Sequence, residues 1–163
     1  MGGIMRLTTI TLAATLTVAG AATAGTVAPG DVAFDEYGAV EMSLSGAAGD
    51  AANGEKIMVT KSKGNCVACH SVSKLSYAAF HGEVGPQLDW AGDTWSQAEL
   101  RGILANAKLT FEGSVMPAFY KVDGFIRPGK AYTGKAADVP LDPLLSAQDI
   151  EDVVAFLMTL KEE

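Results

Sequence analysis

Apolar residues recur at helical spacing in three stretches of the chain. The last is the most regular. Ile150, Val153, Val154, Leu157 and Leu160 fall on one face, as the period of an amphipathic helix requires. Ser146, followed three residues later by Asp149, makes a capping-box-like start. Lys161 is placed in the final turn, where the helix dipole favours a cation. A second helix is predicted from about Ser96 to Lys108, with Thr94 or Ser96 as cap and Leu100, Ile103, Leu104 and Ala107 as its apolar stripe. A third is predicted from Asp50 to Ser62. Asp50 or Asn53 would cap it, and Ile57 and Met58 face inward. Gly54 sits in the middle of that pattern, where it lowers helix propensity; a close crossing with another helix would explain it. Gly64-Asn65 ends the element. No stretch alternates with the period of a strand, and no repeat is present. The pattern predicts an all-α fold with long loops.

The segments outside these helices differ in character. Leu7 to Ala22 is apolar and threonine-rich, Arg6 is the one charged side chain in the first thirty residues, and Ala22-Thr23-Ala24 offers a small-residue cleavage site. This reads as a cleaved signal peptide over residues 1–24, with Met1 or Met5 as the start. The apolar run is short for a membrane span of about 20 residues. Export to the periplasm, an oxidising space, follows. Residues 25–49 are rich in Gly, Ala and Asp, with Val32, Phe34, Tyr37, Val40 and Met42 interspersed. They read as an extended arm packed on a domain or on a partner. Residues 50–163 form the main domain.

Charge narrows the class. The 163 residues carry 12 basic and 19 acidic side chains. Loss of Arg6 with the leader leaves 11 against 19, a formal charge of −8. Such a surface argues against nucleic acid and anionic membrane as partners. It suits docking to a basic protein patch, or solubility alone.

The chemistry concentrates at Cys66-Val67-Ala68-Cys69-His70, which holds both cysteines and one of the two histidines. C-x-x-C-H is the attachment motif for c-type haem. Two thiols one turn apart add to the two vinyl groups of the porphyrin, and the following histidine supplies the proximal ligand. A thioredoxin-like pair would need a βαβ setting, which is absent here. A zinc site needs about four ligands, and only His81 could join these three residues. A disulfide would close a very short loop and gain little.

The sixth ligand is sought among the methionines and His81. Met58 and Met158 lie in helical patterns and read as core, and Met42 lies in the arm. Met116 stands in a long loop, Thr110 to Leu145, which holds four of the six prolines. Loops of that length are uncommon in a compact domain unless they are functional, and a haem would give this one an apolar surface to cover. Pro117 keeps Met116 extended, a suitable way to hold a thioether against iron. His81 lies close to the motif and reads as a loop histidine. Gly85-Pro86 offers a proline carbonyl that could accept the Nδ1 proton of His70, which would fix its tautomer. An iron held on both sides by protein has no open site, so electron transfer is the chemistry expected.

These residues resemble a known family. C-V-A-C-H, G-P-Q-L, M-P-A-F-Y and the amphipathic C-terminal helix look like a class I cytochrome c. Asp35-Glu36-Tyr37-Gly38, His81-Gly82-Glu83-Val84-Gly85-Pro86, Glu99-Leu100-Arg101-Gly102 and Met116-Pro117-Ala118-Phe119-Tyr120 are similar to the SoxX family, the monohaem subunits of the bacterial Sox thiosulfate-oxidising system. The resemblance implies a class I cytochrome c fold, with one covalent haem c bound by Cys66, Cys69, His70, Gly85, Pro86 and Met116, and with His70 and Met116 on the iron. It implies a heterodimer with a SoxA-like haem subunit that couples thiosulfate to a cysteine of a SoxYZ-like carrier protein. Electrons would pass to a small cytochrome c. No catalytic nucleophile is expected on this chain, since both cysteines would be thioether-bound. The rival expectation is a free-standing periplasmic electron carrier. A non-haem redox or metal-binding domain is a third.

Overall fold

The computed structural model describes residues 25–126, 128, 134–137 and 140–162; the expected leader lies outside them. Four α-helices carry the fold: α1 (Ala51–Val59), the single turn α2 (Ala91–Thr94), α3 (Gln97–Thr110) and α4 (Ala147–Leu157). Three short 3-10 turns, Pro29–Asp31, Cys66–Ala68 and Ser73–Leu75, punctuate the connections. Among the described residues there is no β-strand, only an isolated bridge at Ala136. No described helix is long and apolar enough to cross a membrane.

The helices start where side chains can serve their free N–H groups. Asp50 accepts from the N–H groups of Ala52 and Asn53 at the head of α1. Ser96 with Glu99, and Ser146 with Asp149, form complete capping boxes on α3 and α4. Each box satisfies two donors that the helix itself leaves unpaired. Inside, Met58, Val72, Leu75, Ile150, Val153 and Phe156 are fully enclosed. The core forms where α1 crosses α4. At Gly54 an added methyl would run into the carbonyl of Asp152 and approach the Phe156 Cβ to 3.0 Å. That crossing is why a glycine sits inside α1.

Helix ends depart from the sequence pattern. α1 stops at Val59, and its cap Thr60 donates its N–H to Ile57 O; residues 60–63 turn instead of continuing to Ser62. α4 stops at Leu157, so Lys161 lies beyond it and its last turn holds no basic residue. Leu160 is nevertheless buried. The chain turns inward after the helix, and Gly92 N–H donates to Leu160 O at 2.8 Å. α3 runs on to Thr110 but is broken at Asn106, which adopts φ −158° and ψ 85°.

The arm packs on the domain. Val40 and Leu44 enter the core, and Val27, Val32 and Phe34 lie against it. Val27 N–H donates to Leu44 O (2.8 Å) and Val40 N–H to Ala98 O (3.0 Å). The Tyr120 hydroxyl donates to Val27 O at 2.6 Å. A buried ion pair fastens it further. Arg101 Nε and Nη2 reach Glu151 Oε1 and Oε2 at 2.8 and 3.0 Å. Arg101 Nη1 donates to Val40 O at 2.7 Å, and Glu151 accepts the Leu44 N–H at 2.7 Å. Two charges on two helices thus hold three backbone groups of the arm's turn, counting the longer bond to Glu41 O at 3.3 Å.

Candidate functional site

Asn65 takes up a left-handed conformation (φ 47°, ψ 39°) and turns the chain into the 3-10 segment Cys66–Ala68. The N–H groups of Cys69 and His70 both donate to Cys66 O, at 3.0 and 2.9 Å. Two thiols and an imidazole are thereby gathered within one turn. Cys66 is half-buried and Cys69 exposed. Burial pushes the Cys66 thiol up to about 12, so it is a neutral thiol in an apolar setting.

The segment that follows doubles back along the motif. Gly82 N–H donates to Val67 O (2.8 Å), Gly85 N–H to Cys69 O (2.8 Å) and Leu88 N–H to Ser71 O (3.0 Å). These three bonds bring Pro86 O to 2.7 Å from His70 Nδ1. A carbonyl oxygen can only accept, so Nδ1 carries a proton and donates it to Pro86 O. Gly85 faces the ring. A Cβ there would stand 2.6 and 2.7 Å from Nδ1 and Nε2, inside the contact distance of any real side chain. His70 is therefore set by a carbonyl on one side and cleared space on the other.

His81 has a different task. Its Nδ1 accepts the Val72 N–H at 3.3 Å, which leaves Nε2 to donate to Leu75 O at 3.1 Å. Both ring nitrogens are engaged in holding the loop. Asp89 braces the same loop by accepting from Ser73 N–H (2.7 Å), the Ser73 hydroxyl (2.5 Å) and the Gln87 amide. Burial works to raise the Asp89 carboxyl, but these bonds outweigh it and hold it below the usual carboxylate range.

Met116 lies after α3, half-buried against the core. Its carbonyl accepts from the Lys108 ammonium at 2.7 Å, and its N–H donates to the Ser114 hydroxyl at 3.2 Å. Phe119 and Tyr120 N–H groups then bond Leu104 O and Ala105 O at 3.1 and 3.2 Å. The loop is folded back along the second half of α3. Among the other methionines, Met58 is fully buried in the core, and Met42 is exposed on the arm. Met158 is partly buried at the end of α4.

These residues fit a covalently held haem. Two thiols flank one turn, an imidazole has its Nδ1 occupied, and a half-buried thioether is held in a second loop. The loops around them also leave large apolar side chains uncovered: Phe80 is 95% exposed, Val84 70%, Val115 81% and Ile126 98%. Sequence reasoning gave no role to Arg101, Glu151, Gln87 or Asp89. Arg101 and Gln87 stand in the E-L-R-G and G-P-Q-L runs, and a charged residue beside each apolar helical stripe was the further signal for Arg101 and Glu151.

A helical fold with no strand among the described residues, carrying C-x-x-C-H and a methionine loop, is that of a class I cytochrome c. The cytochrome c family profile matches residues 51–161, and the chain belongs to that family. Covalent haem c goes with membership, and the chain is a haem electron-transfer protein. Among solved structures it matches a chain of "Crystal structure of SoxXA from P. pantotrophus", with 59% identity and a TM-score of 0.81 over 85% of this chain and 100% of that one. Within the family it is of the SoxX type. No curated protein sequence matches it.

Proposed function

We propose that this chain is the electron-accepting subunit of a periplasmic heterodimer whose other member is a SoxA-like haem protein. The complex couples thiosulfate to a cysteine of a SoxYZ-like carrier, the reaction of an L-cysteine S-thiosulfotransferase. A sulfur–sulfur bond forms between the carrier thiolate and thiosulfate, and two electrons leave. This chain takes them singly and passes them to a small cytochrome c. The observation that carries the reading is the match over the whole length of a SoxXA chain at 59% identity.

Within the chain, Cys66 and Cys69 would hold the haem covalently, and His70 and Met116 would be the residues that ligate its iron. When bound, the haem supplies one-electron redox chemistry. Pro86 accepts the His70 Nδ1 proton, which fixes the tautomer and raises the ring's electron donation. Gly85 keeps the imidazole free to lie flat against the backbone. The Lys108 bond to Met116 O and the stiffness of Pro117 hold the thioether loop. His/Met ligation raises the potential relative to bis-His, which suits an acceptor of electrons from sulfur. With two protein ligands and no free thiol, the chain itself performs no bond chemistry on thiosulfate.

The test is reconstitution. The haem-loaded chain is mixed with a SoxA-like subunit and a SoxYZ-like carrier, and its visible spectrum is followed after thiosulfate is added. The expected results are co-elution of the two haem chains in equal amounts and reduction that needs both carrier and thiosulfate. A chain that elutes alone and stays oxidised would instead be a free-standing carrier.

A further inference from the structure

α3 carries two anomalies at one residue. Asn106 leaves the helical region and divides the helix into two segments. Its Oδ1 is also the one buried side-chain polar atom among the described residues with no hydrogen-bond partner. An amide oxygen shut away from water without a donor is destabilising, and native proteins keep few of them, so each calls for a partner.

Its position limits what that partner is. Tyr120 N–H is bonded to Ala105 O, and the Lys108 ammonium to Met116 O. Asn106 thus stands between two points at which the Met116 loop is fastened to α3. Ile103, one turn earlier, belongs by spacing to the inward stripe but stays partly accessible, while Leu100, Leu104 and Ala107 are buried. Residues three apart share a helix face. The helix is therefore left partly uncovered at Ile103, one turn before the break at Asn106 and beside the methionine loop.

We infer that Asn106 is a positioning residue for the sixth ligand: when the haem is bound, its Oδ1 accepts a hydrogen bond from an ordered water enclosed between α3 and the Met116 loop, and this bond holds the loop closed. A buried polar site satisfied through water is a regular part of protein interiors, and such a bridge is nearly as good as a direct bond. The inference rests on Met116 being the sixth ligand.

The experiment uses the haem-loaded chain and its variants Asn106→Leu, Asn106→Asp and Met116→His. Leucine keeps the shape and removes the acceptor, whereas aspartate keeps an acceptor in place. Imidazole is the probe, because it competes with the methionine for iron. The expected result for Asn106→Leu is full covalent haem, a weakened methionine-to-iron band and imidazole binding about tenfold tighter, the equivalent of one hydrogen bond lost from the closed loop. Asn106→Asp should stay closer to wild type than Asn106→Leu in both readouts. Unchanged imidazole affinity and an unchanged band in Asn106→Leu, with a raised melting temperature, would overturn the inference and leave Asn106 a break in a helix. If Met116→His keeps the wild-type band, the ligand assignment itself has failed, and the inference falls with it.

Discussion

At Gly85 a single methyl group would have to share space with the His70 ring. Gly85→Ala forces the imidazole or the Pro86 carbonyl to move, and the 2.7 Å bond between them is the first thing lost. The expected outcome is less haem per chain and a shifted reduction potential in the fraction that loads. Full loading at an unchanged potential would show that the contact is not needed. Met116→His is expected to keep the haem, abolish the methionine-to-iron band and lower the potential markedly, since bis-His ligation lies below His/Met. At this scale the sequence was most legible where chemistry fixes spacing, as in the C-x-x-C-H run. The two backbone bonds of His81 and the orphaned oxygen of Asn106 depend on which loops meet, and no local pattern encodes that.

Helices and arm differ in how far they could be read. The caps of α3 and α4 were visible because a capping box is a local device. The end of α4 was not. Leu160 continues the apolar period, but it is buried by a turn after Leu157 and by a contact with Gly92, a partner 68 positions away in the chain. The arm's attachment was hidden for the same reason, because it rests on a buried ion pair between α3 and α4. Arg101→Leu would leave the Glu151 carboxylate buried without its counter-charge. Breaking such a pair costs about 3–5 kcal/mol, so the urea midpoint should fall steeply and protease should cut first within residues 25–49. A midpoint close to wild type would mean that the arm is held by its apolar residues alone.

Asp149 links an element's end to pH. Burial works to raise its carboxyl, but the Lys63 ammonium at 2.8 Å and the Ser146 bonds outweigh it, so it lies below its ordinary value. An unfolded carboxyl takes up its proton first as pH falls. The stabilisation is therefore complete above about pH 4, the unfolded value, and is lost as pH drops towards the folded one. Melting curves of Asp149→Asn should be lower than wild type at neutral pH and converge with it in acid. Parallel curves across the acid range would exclude Asp149 from the acid response.

Over the whole molecule, a helical fold carries the haem motif and the methionine loop on a small acidic protein. The fold class was legible because helical periodicity dominates and strand alternation is missing. The long loop resisted reading, since its order comes from bonds back to α3 and not from its own composition.

Electron transfer by this chain would require haem held through two thioethers with His/Met ligation. The most direct measurement is the intact mass and visible spectrum of the chain after export in a host that attaches c-type haem. One haem added to the polypeptide mass, no free thiol and a methionine-to-iron band lost in Met116→His are the results expected. A chain of unmodified mass with two titratable thiols would contradict the account.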